Sequence, residues 1–235
     1  MRSVPVSRRK FFGFAAAATT LGVGLAAAPA RAQSFGTMVD YAAGVPSAAA
    51  IAAAGHIGVI RYVSDRRPGA EWMEGKPLLA AEVEDLWANG LSIVSNYQFG
   101  KGPTADWRGG FAAGQRHAER GWTLHAEAGG PDTAPIYASI DDNPSQWEFD
   151  EMIAPYIEGW ESVLGSDLVG IYANAPTIDR ALDAGLGSWF WQHNWGSNGV
   201  IHDSAHLHQF EIDKRSIDGI GVDLNRVLAE DYGQW

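Results

Sequence analysis

The sequence predicts an α/β fold: a single-domain, compact and irregular (β/α)8 TIM-like barrel. Three observations carry this. Short apolar runs alternate with helical segments along the whole of residues 33–235, the pattern of a parallel sheet. About eight such runs fit into one domain's length. No Gly-rich phosphate loop follows the first strand, which disfavours the other candidate, a doubly wound open sheet.

The elements follow in order. Thr37–Asp40 reads as a short strand ending on an acid, Pro46–Ala54 as an Ala-rich helix stopped by Gly55, and Ile57–Tyr62 as the second strand. Leu78–Asn89 is a helix with Leu79, Val83, Leu86 and Trp87 on one face, and Leu91–Tyr97 is the third strand. Trp107–Arg120 is helical, with Phe111, Ala112, Gln115 and Ala118 in line, and Ala126–Asp132 is a polar loop. Ile136–Ile140 is an uncharged run flanked by Pro135 and Pro144, so it reads as a strand buried on both faces. A helix over Ser145–Leu164, a strand over Leu168–Tyr172 and a short helix over Ile178–Ala184 follow. Trp189–Gln192 and Ala205–Phe210 are the sixth and seventh strands. Gly221–Asp223 is the eighth, with a C-terminal helix after it. Weak helical patterns in the last third predict irregularity there.

Residues 1–32 read as an export signal. Ser7-Arg8-Arg9-Lys10-Phe11-Phe12 is a twin-arginine sequence, an apolar stretch runs from Phe11 to Ala28, and Ala30-Arg31-Ala32 offers a cleavage site. Passage through the twin-arginine translocase to the cell envelope or medium is expected, with no membrane span after processing. The chain has no cysteine, so the fold stands without disulfides. Removing residues 1–32 leaves 12 basic against 28 acidic residues. Such a surface repels nucleic acid and anionic lipid but not a neutral glycan. A monomer is expected.

The acids at predicted strand ends are Asp40, Asp141, Asp142 and Asp223, with Glu211 a weaker candidate. A barrel gathers such ends at one mouth. Crowded carboxylates repel, so at least one keeps its proton near neutral pH. A proton donor beside an ionised partner is what glycosidic cleavage requires. Asp142 could instead cap the next helix, and Asp223 could bond turn amides. His202, His206 and His208 lie close together, but there is no H-E-x-x-H, so no metal site is expected, and no other cofactor. No G-x-S-x-G elbow supports a serine nucleophile.

Several stretches resemble the glycoside hydrolase family 25 lysozymes. Met38-Val39-Asp40-Tyr41 is similar to their first-strand aspartate motif, Val59-Ile60-Arg61-Tyr62 to the second strand and Asn96-Tyr97-Gln98-Phe99 to the third. Gly170-Ile171-Tyr172-Ala173-Asn174 resembles Gly-Ile-Tyr-Ser-Asn. Leu207-His208-Gln209-Phe210 and Val222-Asp223-Leu224-Asn225 resemble the closing Trp-Gln-Tyr and Val-Asp-Leu-Asn pair. The chain is more closely similar to the glycoside-hydrolase-like domain of twin-arginine-exported actinobacterial proteins, whose fourth strand matches Ile136–Asp141. The resemblance implies a cell-envelope or environmental polysaccharide, or a peptidoglycan-type glycan, as substrate, while muramidase activity itself does not follow from it. It implies Asp141 as general acid, with Asp40 and Asp223 orienting water, the nucleophile or the acid. It places Arg61, Tyr97, Tyr172, Trp191 and Gln209 around the sugar. Where the lysozymes carry Asp-x-Glu, this chain has Ser139-Ile140-Asp141, a lost carboxylate and a shortened acid. Two functions therefore stand open: a glycosidase, and a non-catalytic glycan-binding protein on the same scaffold.

Overall fold

Eight strands close a barrel in chain order in the computed structural model, which describes residues 34–235. The strands are β1 (Gly36–Asp40), β2 (Gly58–Tyr62), β3 (Ser92–Tyr97), β4 (Ile136–Ser139), β5 (Val169–Ala173), β6 (Trp189–Gln192), β7 (Leu207–Ile217) and β8 (Ile220–Val227). The export signal read from residues 1–32 lies outside the described residues. Among those described, no helix is long and apolar enough to cross a membrane.

Strands β1 to β7 are parallel, as expected, but β8 runs antiparallel to both β7 and β1. The cause is local. Ile217 pairs with Ile220 across a two-residue Asp218-Gly219 turn in which both residues have positive φ, 53° and 78°. Such a turn can only make a hairpin, because a parallel connection needs a crossover of a dozen residues or more. Asp-Gly is the sequence signature of this turn.

The two faces of the strands separate by parity. Met38, Ile60, Val94, Tyr137, Tyr172, Trp191, Leu207 and Val227 fill the barrel interior. Their neighbours Val39, Val59 and Ile93 face outward against α1 (Ala48–Ala53) and α2 (Ala80–Ala88). Ile136, Ala138, Ile171 and Phe190 face α3 (Gly110–Ala128) and the helical stretch after β4. That stretch opens as α4 (Gln146–Glu148), widens into a π-helical turn over Phe149–Ile153 and continues as α5 (Ala154–Leu164). The last helix is α6 (Ala175–Asp183).

Two helices depart from their expected faces. α3 runs on to Ala128, through part of the expected polar loop, and buries Ala113, Gly114, Ala118, Gly121 and Leu124 rather than Phe111 and Ala112. The part of that face turned to α5 is made mostly of small residues, because α3 and α5 touch backbone to backbone. A Cβ at Gly114 would collide with the Tyr156 carbonyl, and one at Gly159 with the Phe111 carbonyl. On α2, Val83 and Leu86 are buried while Trp87 is half exposed.

No C-terminal helix forms among the described residues. The tail after Val227 instead closes the barrel end remote from the strand C-termini. Tyr137 Oη donates to the Tyr232 carbonyl at 2.9 Å, and Trp235 exchanges two backbone hydrogen bonds with Ile93. β4 pairs with β3 only from Ser95 onward, so Trp235 satisfies strand backbone that would otherwise be an open edge.

Candidate active site

The C-terminal ends of the parallel strands surround a cleft of about 270 Å³. Asp40 closes β1, Tyr62 closes β2, Gln98 follows β3, Asp141 lies just beyond β4, Tyr172 is on β5, Trp191 on β6 and Gln209 on β7. Asp223 also lines it, but not as a strand terminus: β8 runs the other way, so its first half lies at the mouth.

Asp40 and Asp223 are direct partners in the antiparallel β1–β8 ladder, so both side chains point to the same face. Gln209 Nε2 donates to Asp40 Oδ2 at 3.0 Å and to Asp223 Oδ2 at 3.4 Å. Asn225 Nδ2 donates to the same Asp40 oxygen at 2.7 Å. Both amides are fixed from behind. Tyr172 Oη donates to Gln209 Oε1, and the Trp191 indole N–H donates to Asn225 Oδ1 at 2.8 Å. Asp223 also accepts the Asp213 backbone N–H at 2.8 Å. Asp213 sits in a bulge of β7, with φ of 57°, which turns its amide toward the mouth.

Burial pushes the Asp40 carboxyl above the usual carboxylate range. The Asn225 and Gln209 hydrogen bonds pull against this, and the Asp141 charge adds to it. Asp223 rises to about 7, through burial first and the Asp40 charge second, against the Asp213 amide. Asp141 goes the other way. Burial would raise it, but Lys101 Nζ at 2.8 Å and Gln98 Nε2 at 3.1 Å hold it below its ordinary value. Two opposed carboxylates are thus pushed toward holding a proton, while a third at the same mouth is drawn toward its ionised form.

Of the expected sugar-site residues, Tyr172 and Gln209 line the cleft and bind each other. Trp191 lies in its floor, only 1 % exposed, with its N–H committed to Asn225; it is a brace for Asp40 rather than an open platform. Arg61, Tyr97 and Asp142 are elsewhere. Arg61 is fully buried on the outer face of β2, paired with Glu82 of α2 and donating to the Tyr41 and Gly75 carbonyls. Tyr97 faces α3 and α5, stacked on His117 and edge-on to Trp160. Asp142 turns away, accepting the Asn143 N–H at 2.9 Å and lying 3.8 Å from Arg108. It does not cap the next helix either; Ser145 does. Glu211 pairs with Arg215. His202 bonds Asp179, and His208 bonds Asn194.

Sequence reasoning passed over Tyr62, Lys76, Gln98, Lys101, Asn225 and the rim residue Trp72, which is 58 % exposed. Parity could have found two of them. Ile60 faces inward, so Tyr62 does and Arg61 does not; Asn96 faces inward, so Gln98 does and Tyr97 does not.

Residues 49–227 match the model of the family described as "Rv2525c-like, glycoside hydrolase-like domain". The chain is 60 % identical to the "Putative peptidoglycan hydrolase Rv2525c" of Mycobacterium tuberculosis (strain ATCC 25618 / H37Rv), over 98 % of this chain and 99 % of that one. The crystal structure of that Tat-secreted protein with L-tartrate superposes with a TM-score of 0.85 at 61 % identity, covering 86 % of this chain and 100 % of the other. A family GH25 lysozyme from Aspergillus fumigatus shares the fold, with a TM-score of 0.53 at 14 % identity over 82 % of this chain and 93 % of that one. The eight-stranded barrel with its carboxylate-lined mouth therefore belongs to a protein of the Rv2525c-like, glycoside hydrolase-like family.

Proposed function

We propose that this protein is an exported glycoside hydrolase of peptidoglycan-type glycans, with Asp223, Asp40 and Asp141 as its catalytic carboxylates. The twin-arginine sequence and a 60 % identical relative that is Tat-secreted support export by that route. The relative's name supports the substrate class.

One arrangement carries the chemistry: Asp40 faces Asp223 across the β1–β8 ladder with one Gln209 amide between them, whereas Asp141 faces the Lys101 ammonium. Burial and mutual charge thus push the pair toward holding a proton, and Lys101 draws Asp141 toward its ionised form. Glycosidic cleavage needs such a contrast. The pair gives its proton to the leaving oxygen, and Asp141 stabilises the cationic sugar ring or orients the attacking water. This reverses the roles that the resemblance implies. The difference is physical: Asp141 has a lysine against it and Asp223 has another carboxylate. Gln209 and Asn225, held by Tyr172 and Trp191, fix the pair; Trp72 at the rim offers a face on which a sugar can stack.

The test is turnover of purified peptidoglycan and of soluble glycan fragments by the wild type and by Asp223→Asn, Asp40→Asn and Asp141→Asn. The expected result is cleavage by the wild type and a fall of about 10²-fold or more for each variant. Wild-type activity in Asp223→Asn would overturn the assignment. Binding without turnover by the wild type would favour the binding-only reading, for which the replacement of a lysozyme-type carboxylate by Ser139 speaks.

A further inference from the structure

The acids occupy the β8–β1 side of the mouth and the end of β4. The ends of β2 and β3 carry the opposite charge: Arg67 and Lys76 from the loop after β2, and Lys101 from the loop after β3, all line the same cleft. Lys76 is the unusual member. It is only 3 % exposed, its Nζ donates to the Gln98 carbonyl at 2.8 Å, and the ammonium lies 3.8 Å from the centre of the Tyr62 ring. Among the described residues, no carboxylate lies within ion-pair distance of Lys76 or Arg67. A carbonyl and a ring face occupy part of the ammonium and leave donor capacity unused. A buried ammonium without a counter-ion is costly, and such a group lining a cleft marks a candidate binding site.

We propose that the cleft recognises a glycan whose bound sugar carries a carboxylate, received by Lys76 with Arg67 and Lys101 beside it. This rests on the reading of the cleft as a glycan site. Burial and then the Arg67 charge pull the Lys76 pKa down to about 7, and an arriving anion relieves both penalties. A monoanion fits better than a phosphate dianion, because Asp141 stands at the same mouth and the Lys101 ammonium is already shared with it. Lys101 can reach the ligand without leaving Asp141: its side chain is 58 % exposed, and an ammonium has three donors.

Two sugar chemistries present such a group, the lactyl ether acid of a muramic residue freed of its stem peptide and a uronic acid, and the experiment separates them. Calorimetry measures binding of the disaccharide of N-acetylglucosamine and N-acetylmuramic acid, and of a glucuronic-acid disaccharide, each against its own methyl ester. At least one free acid is expected to bind the wild-type protein about tenfold or more tighter than its ester. Which acid does so names the source. Lys76→Met is expected to bring the acid down to the ester's affinity and to leave the ester unchanged, whereas Lys76→Arg keeps part of the preference. Arg67→Gln, at a half-buried position, gives a second readout should Lys76→Met not fold; it is expected to reduce the preference severalfold. Equal binding of acid and ester by the wild type overturns this proposal and leaves the glycan reading standing. So does an undiminished preference in both Arg67→Gln and a folded Lys76→Met. Binding of neither acid nor ester overturns both.

Discussion

Asn225 joins Trp191 on one side to Asp40 on the other. Its removal leaves an indole N–H buried without a partner and takes from Asp40 its shortest hydrogen bond. Asn225→Leu is therefore expected to destabilise the fold by about 1–3 kcal/mol, read as a lower denaturant midpoint. An unchanged midpoint would mean that water replaces the amide. Asp223 has the opposite effect. In the fold it keeps its proton to about pH 7, against about 3.9 in an unfolded chain. Below about pH 4 both states are protonated and the group costs nothing. As pH rises from 4 to 7 the unfolded chain ionises first, so stability falls, and above 7 the loss is complete. Asp223→Asn is expected to be more stable than wild type at pH 8, by about 1 kcal/mol after allowing for its partial exposure, and indistinguishable at pH 4. That corresponds to a Tm difference of about 2–4 °C at the higher pH. Equal Tm at both pH values would refute the shift.

Among the elements, the β7–β8 hairpin decides where Asp223 sits. Gly219 at φ 78° completes the turn, and Asp218 accepts from the Ser47 backbone N–H and hydroxyl at 2.9 and 2.7 Å, tying the tip to the start of α1. Gly219→Val is expected to cost about 1–2 kcal/mol and to lower turnover, since a loosened hairpin moves Asp223 relative to Asp40; full activity at unchanged stability would detach the hairpin from the site. The α3–α5 crossing is a separate test of packing. Gly159→Ala inserts a methyl against the Phe111 carbonyl and is expected to destabilise by about 1–3 kcal/mol, with the calorimetric Tm as the check. These two elements also mark what the sequence conceals. The face of α3 that packs on α5 is built mostly of Ala and Gly, so hydrophobic periodicity points to Phe111 instead. The hairpin was legible in Asp218-Gly219, but the expectation of a parallel repeat outweighed the turn chemistry. Arg61 and Tyr97 sit at the right strand ends on the wrong parity.

At the scale of the whole molecule the barrel brings together acids that are distant in the chain. Asp40, Asp141 and Asp223 were legible because each adjoins an apolar strand. The contrast in their surroundings was not, because it depends on Lys101, on Gln209 and on the Asp40–Asp223 pairing across a strand direction that the repeat pattern does not foretell. The central claim is that the Asp40–Asp223 pair holds one proton to near neutral pH while Asp141 is ionised. The most direct measurement is carboxyl-carbon NMR across pH 3–9 on aspartate-labelled protein, wild type and Asp223→Asn. The account predicts one aspartate titration near pH 7 in the wild type, absent from Asp223→Asn, with Asp141 titrating below the ordinary carboxylate range. A wild type in which every aspartate titrates below about pH 5, or a variant that retains the titration near 7, would contradict it.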